Sequence, residues 1–270
     1  MKINPPFVAD LLCSFIREEL GKFGFRKAVF GSSGGVDSAV CGCLAARALG
    51  PKNVLGLSMP YGESSGGDVS DARTLARRLG IRSKVIDIAP MVDAYFSRFP
   101  TKSRLQRGNK MARERMSILY DFSAREGALI LGTSNKTELL TGYGTIHGDL
   151  ACAINPLGDL YKTQVRELAA YLEVPAKIRE KAPSAGLWPG QTDESDLGLT
   201  YDEIDRILFE LVDRRRPPAE VVKSGFPAKS VSRIVLLIER SEFKRKMPPI
   251  AKLSTRTVGL DFLYSYDRGR

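Results

Sequence analysis

No apolar run in this 270-residue chain approaches the ~20 residues that span a bilayer, so a membrane partner is not expected. Histidine is almost missing: His147 is the only one, and none of the four cysteines (Cys13, Cys41, Cys43 and Cys152) forms a C-x-x-C pair. A zinc centre therefore lacks ligands. The first twenty residues, MKINPPFVADLLCSFIREEL, carry prolines early and acids late. They read as an amphipathic helix and exclude a signal peptide. Without an export signal disulfides are not expected, and the cysteines read as small buried thiols of a cytoplasmic protein. Two phosphate-binding fingerprints are also missing, since the glycine-rich loop after Phe30 ends neither in Gly-Lys-Ser/Thr nor as G-x-G-x-x-G.

What is present is ordinary in bulk and distinctive in detail. Hydrophobic residues make up 43% and charged residues 27%, as in globular chains with a full core. Lys plus Arg number 41 against 31 acids, a formal net charge of +10. That excess suits polyanionic partners, although it also serves solubility alone. Four short apolar segments read as buried parallel strands: KAVF (27–30), NVLGLSM (53–59), SKVIDI (83–88) and ALILGT (128–133). Helical patterns over 38–49, 69–79 and 109–126 separate them, which predicts an α/β fold with a doubly wound, mostly parallel sheet. From about residue 163 the pattern turns mainly helical, interrupted by the Pro-, Gly- and acid-rich stretch KAPSAGLWPGQTDESDLG. The tail from Met247 has no usable periodicity, and no repeat is evident.

In such sheets ligands meet the carboxyl ends of the strands. The first of these ends carries Ser32-Ser33-Gly34-Gly35-Val36-Asp37-Ser38. Its glycines let backbone N–H groups approach phosphate oxygens, and a helix N-terminus follows. A carboxylate at Asp37 would repel that phosphate unless a cation lay between them, and magnesium characteristically binds one or two carboxylates together with phosphate oxygens. The plainer reading is a strand-to-helix turn with Asp37 as its cap. At the end of the fourth strand, Glu138 is a second candidate metal carboxylate. Lys162, after the GDLY turn, can bring an ammonium to departing phosphates. Singly, either would more often be a solvated surface charge.

The loop SGGVDS resembles that of the N-type ATP pyrophosphatases. The block from Leu131 to Leu168, together with GNKMARERMSILY (108–120), PSAGLWPGQTDESDLGLTYDEID (183–205) and FKRKMPP (243–249), resembles the ammonia-dependent NAD synthetases over nearly the whole chain. The resemblance implies one domain over 1–270 with the adenine nucleotide alpha hydrolase-like fold. It also implies a two-step reaction: ATP adenylates the nicotinate carboxylate of deamido-NAD, and ammonia then displaces AMP. It further implies that Gly31, Ser32, Ser33, Gly34, Gly35, Val36, Asp37 and Ser38 bind ATP with Thr133, Lys162 and Ser184. Asp37 and Glu138 would hold Mg2+, Asp37 and Lys162 would be catalytic, and Arg113 and Lys244 would touch the acid substrate. A homodimer is implied as well, built partly on the helix carrying Arg113.

On that helix Ala112, Met116, Leu119, Tyr120 and Ser123 form one apolar-to-small face, with Arg113 and Arg115 off it; Arg115 reads as solvated. Cys41 and Cys43 lie on the helix after the loop and read as packing. The length leaves no room for an amidase domain, so free or separately delivered ammonia is expected. Many family members have Lys at Ile146, Asp at Ala153 and His at Phe243, all on the deamido-NAD side. Either the same dinucleotide is gripped differently or another carboxylic acid is amidated. A tRNA-modifying relative would bring an RNA-binding domain or paired cysteines, and neither is visible, so nucleic acid is not expected. A nucleotide-binding module without turnover would not need Asp37, Glu138 and Lys162 together.

Overall fold

A computed structural model describes residues 1–62, 66–188 and 190–262, so the end of the aperiodic tail lies outside the described residues. Its centre is a four-stranded parallel sheet of β1 (Ala28–Gly31), β2 (Val54–Ser58), β3 (Arg82–Val85) and β4 (Leu129–Leu131), in the order β3-β2-β1-β4. Because the strands run parallel, each connection crosses over through helix: α2 (Val36–Leu49), α3 (Gly66–Leu79), and then α4 (Ala89–Arg98) with α5 (Arg104–Glu126). β1 pairs with both β2 and β4, so connections leave it in opposite directions and open a crevice at its carboxyl end.

Alternation along the strands sends side chains into two cores. Ala28, Phe30, Val54 and Leu131 join α1 (Pro5–Lys22), α2 and α7 (Lys162–Tyr171) on one face. Val29, Leu55, Leu57 and Ile130 join Val92 of α4 and Met111, Met116 and Leu119 of α5 on the other. The two patterns follow from the period of two in a pleated strand. Helix α2 is buried on nearly every side, which its Ala- and Cys-rich sequence permits. It approaches β1 so closely that a Cβ at Gly42 would stand 2.8 Å from the Phe30 ring. A third core gathers Tyr161 with Tyr201, Ile204 and Leu208 of α10 (Tyr201–Leu208), Val221 of α11 (Pro218–Lys223), and Val231 and Ile234 of α12 (Ala228–Arg240). The remaining α-helices among the described residues are short: α6 (Lys136–Thr141), α8 (Ala176–Arg179) and α9 (Asp193–Leu197).

The expected strands and helices are found within a few residues of their ends, with three differences. β3 is not buried: all four of its residues are exposed, because it is an edge strand with a neighbour on one side only. Helix α4 arises where no element is expected; only Val92 of its residues is fully buried, so its apolar signal is thin. The Pro- and Gly-rich stretch after Lys181 contains α9, begun by Thr192, whose side chain accepts from the Ser195 N–H. Cys13, Cys41 and Cys43 are buried free thiols as expected, and Cys152 is half-buried. Among the described residues no helix is long and apolar enough to cross a membrane.

Candidate active site

The crevice at the carboxyl end of β1 is a cleft of about 560 Å³. Its floor is the glycine loop, and local hydrogen bonds set its shape. Ser32 N–H donates to the Leu57 carbonyl at 2.8 Å, and Ser58 Oγ donates to the Ser32 carbonyl at 3.0 Å, tying the loop to β2. Ser33 Oγ accepts from the Gly35 N–H and donates to Ser38 Oγ, which itself donates to the Gly35 carbonyl. Gly34 has φ +81°, and a Cβ there would lie 2.4 Å from the Asp68 carbonyl oxygen of α3. Only glycine satisfies both constraints. Gly35 caps α2 without a side chain, so the first N–H groups of α2 remain directed at the cleft.

Charge is concentrated above this loop. Asp37, in the first turn of α2, accepts from Asn135 Nδ2 at 2.9 Å and from Lys162 Nζ at 2.5 Å. Lys162 Nζ also reaches Glu138 Oε1 at 3.4 Å. Asn135 and Glu138 form a reciprocal capping box at the start of α6, so one motif both starts a helix and brings one side chain to Asp37 and the other to Lys162. Lys162 is the first residue of α7. Its backbone N–H donates to Thr137 Oγ1, whose hydroxyl donates to buried Asp205 at 2.5 Å; the other Asp205 oxygen accepts from the Thr163 N–H. A carboxylate from α10 thus fixes the N-terminus of α7, and with it the root of Lys162.

Burial dominates the electrostatics. It pushes the Glu138 carboxyl up to about 8, against the lowering pull of Lys162. For Lys162 burial works to lower the pKa, but Asp37 and Glu138 outweigh it and hold the ammonium charged. Asp193, on the same side of the cleft, accepts from Tyr201 OH at 2.9 Å through one oxygen. Its other oxygen, Oδ1, is buried and has no hydrogen-bond partner, and burial raises this carboxyl too. Three carboxylates therefore face one ammonium. An all-oxygen donor set with an unsatisfied carboxylate oxygen beside it fits a hard divalent cation such as magnesium. Among the described residues no three His, Cys, Asp or Glu side chains gather tightly enough to hold an ion alone.

Gly31, Ser32, Ser33, Gly35, Val36, Asp37, Ser38, Thr133, Glu138, Lys162, Ser184 and Lys244 all line this cleft, while Gly34 lies tucked beneath Asp68. Lys244 Nζ donates to the Gly142 and Gly144 carbonyls at 2.8 Å, and burial lowers its pKa. The two arginines of α5 that lie off its apolar stripe, Arg113 and Arg115, are placed differently from each other. Arg113 is exposed, outside the cleft lining, with Nε donating to the Ile146 carbonyl at 3.2 Å. Arg115 is not solvated: it is half-buried, lines the cleft, and donates to the Met59 carbonyl at 2.9 Å. The α5 stripe is likewise split, since Ala112, Met116 and Leu119 are buried whereas Tyr120 is 48% exposed. Ile146, Ala153 and Phe243 lie outside the cleft lining.

The NAD synthase family model matches residues 8–248. The NH(3)-dependent NAD(+) synthetase of Trichlorobacter lovleyi is 52% identical over 270 residues, covering 100% of this chain and 99% of that protein. Among solved structures, NMN synthetase from Francisella tularensis superposes with a TM-score of 0.83 at 35% identity, covering 93% of this chain and 100% of that one. The NH3-dependent NAD synthetase of Campylobacter jejuni gives a TM-score of 0.80 at 34% identity, with the same coverage.

Proposed function

The chain belongs to the NAD synthase family, and we propose that it amidates the nicotinate carboxylate of deamido-NAD with ammonia while splitting ATP into AMP and pyrophosphate. The observation that carries this reading is the convergence of Asp37, Glu138 and Lys162 in one hydrogen-bonded cluster over a glycine loop and helix N-terminus.

The loop N–H groups and the dipole of α2 bind the phosphates of ATP. Asp37 and Glu138 would hold Mg2+, which when bound screens phosphate from carboxylate and polarises the phosphoryl oxygens. Lys162 exchanges its carboxylate partners for phosphate oxygens and stabilises the charge that builds on departing pyrophosphate. The substrate carboxylate is itself the nucleophile at the α-phosphorus, and ammonia is the nucleophile at the resulting acyl-adenylate, so no side chain need attack. Cys41 and Cys43 support this by default: both are buried in the core, and burial raises both thiols, Cys43 to about 11. Thr133 and Ser184 flank the nucleotide, and Lys244 stands at the acid end. Arg113 is exposed and outside its own chain's cleft lining, which suits a role on substrate near a second copy. A homodimer belongs to the same reading and is supported by the exposed Tyr120, Phe99 and Leu105 around α4 and α5.

The test incubates purified protein with ATP, Mg2+, ammonium and either deamido-NAD or nicotinate mononucleotide. NAD appearing in step with AMP and pyrophosphate is the expected result. Bound ATP without NAD would overturn it. Preferential amidation of the mononucleotide would move this chain toward the activity named for the Francisella structure.

A further inference from the structure

Two walls of the cleft are joined by a charge network that the reaction itself does not use. One wall is the beginning of α3, whose Asp68 carbonyl is seated on the glycine loop at Gly34. The other is the segment 182–188, which carries Ser184 and Trp188. Among the described residues the hydrogen bonds along that segment stay within about ten residues of chain: Gly186 N–H to Ser184 Oγ, Leu187 N–H to Gln191 Oε1, Gln191 N–H to the Trp188 carbonyl, and Asp193 N–H to the Pro183 carbonyl at 3.0 Å. Leu187 adds apolar contact with the core beneath α5. The charged tie comes from Lys181, just before the segment. Its Nζ reaches Asp68 Oδ1 at 2.8 Å and Asp71 Oδ2 at 2.6 Å, and Lys177 takes the other Asp71 oxygen at 2.7 Å. The Asp71 side chain is only 5% exposed, whereas Lys181 is 32% exposed at the cleft edge. Lys181 and Asp68 both line the cleft, and Ser184 follows Lys181 by three residues.

We propose that Lys181 is a positioning residue: by clamping 182–188 to α3 it sets where Ser184 stands over the glycine loop, and so tunes nucleotide affinity. This rests on the ATP-binding reading above. The clamp joins segments more than a hundred residues apart and touches no reacting atom, so its removal loosens nucleotide binding and leaves the chemistry intact.

Trp188 is the only tryptophan in the chain and lies in the tethered wall, so its emission reports the segment directly. Magnesium-ATP is titrated into wild type, Lys181→Met and Lys181→Arg, with calorimetry in parallel and melting temperature as the folding control. The expected midpoint rises about five- to tenfold in Lys181→Met, the order a partly exposed ion-pair network supplies, and Lys181→Arg restores most of it. Salt weakens nucleotide binding by both, but the wild type more steeply, because in it the clamp is screened as well. In turnover the KM for ATP follows the midpoint, while kcat and the KM for ammonium hold. A Lys181→Met midpoint equal to wild type, or a fall in kcat with KM for ATP unchanged, overturns the clamp. A wild type that binds no ATP overturns the nucleotide reading, and the clamp with it.

Discussion

Lys162→Gln tests the charge cluster most directly. The ammonium lies 2.5 Å from Asp37 and 3.4 Å from Glu138, with side-chain exposures of 3%, 16% and 15% respectively. Removing one partner of a buried ion pair costs about 3–5 kcal/mol, because the other charge is left uncompensated. Here the carboxylates keep some access to water, and Glu138, pushed up to about 8 by burial, can take up a proton. Those two outlets reduce the expected cost to about 2–3 kcal/mol. In a chain of this size that lowers Tm by about 5–10 °C. The sign with pH follows from the raised carboxyl: below its folded pKa the added proton removes one negative charge, so the deficit shrinks on acidification and grows as pH rises through 8. Millimolar Mg2+ should raise the variant's Tm more than the wild type's, since Asp37 and Glu138, freed of the ammonium, would be open to hold it. Turnover should not return, as the charge opposite pyrophosphate is lost; a fall in kcat of about 10²–10³ is expected. Thermal melts at pH 6 to 9 with and without Mg2+, beside pyrophosphate release, measure all of this. A variant melting with wild type at every pH, or turning over normally, would refute the cluster as the site.

Gly34→Ala combines a left-handed residue, costing about 1–2 kcal/mol, with a Cβ 2.4 Å from the Asp68 carbonyl, so α3 must shift off the loop. Calorimetry should find ATP affinity reduced more than tenfold. For Asp71, burial pulls the carboxyl upward, but hydrogen bonds from Lys177 and Lys181 outweigh it and hold it below its ordinary value. Its contribution is therefore present above pH ~4 and lost as pH falls through the folded pKa. Asp71→Asn should cost about 1–2 kcal/mol in denaturation at pH 7, and progressively less as pH is lowered through the folded pKa of Asp71. Cys43→Ala should turn over within about twofold of wild type, since a thiol pushed up to about 11 supplies no thiolate at neutral pH. A large loss of kcat would argue for covalent chemistry.

The parts of the fold that could be read in the sequence are those encoded locally. The runs at β1, β2 and β4 are apolar because both faces of those strands are covered, and the glycine loop is legible because Gly34 answers to a backbone demand. β3 misleads because its apolar neighbours 86 and 88 resemble a buried run, although the strand itself is an open edge. Arg115 misleads for another reason. Lying off the helix stripe separates core from not-core, but a cleft is neither core nor bulk water, and the helical period cannot tell them apart. Asn135 carries a readable signal, since Asn135-Lys-Thr-Glu138 is a capping box in plain sequence. Asp205, Asp193 and Lys181 do not. Their partners are supplied by other elements of the fold or, as for Asp193 and Tyr201, depend on a turn that only the folded chain defines.

Why a carboxylate should stand in a phosphate cradle is answered by the whole cluster better than by Asp37 alone. Asp37, Glu138 and Asp193 together outnumber the single ammonium of Lys162, and one Asp193 oxygen is left without any donor. With all three ionised, which for Glu138 means above a pH of about 8 unless a cation displaces its proton, a polyphosphate alone would meet net repulsion there, and a divalent cation alone would compete with Lys162 for the same two carboxylates. The two together would remove both difficulties, with the carboxylates free to hold the cation and Lys162 free to hold the phosphates. Nucleotide and metal should therefore bind as one unit, each weakly without the other, and that mutual dependence follows from the charges this chain buries.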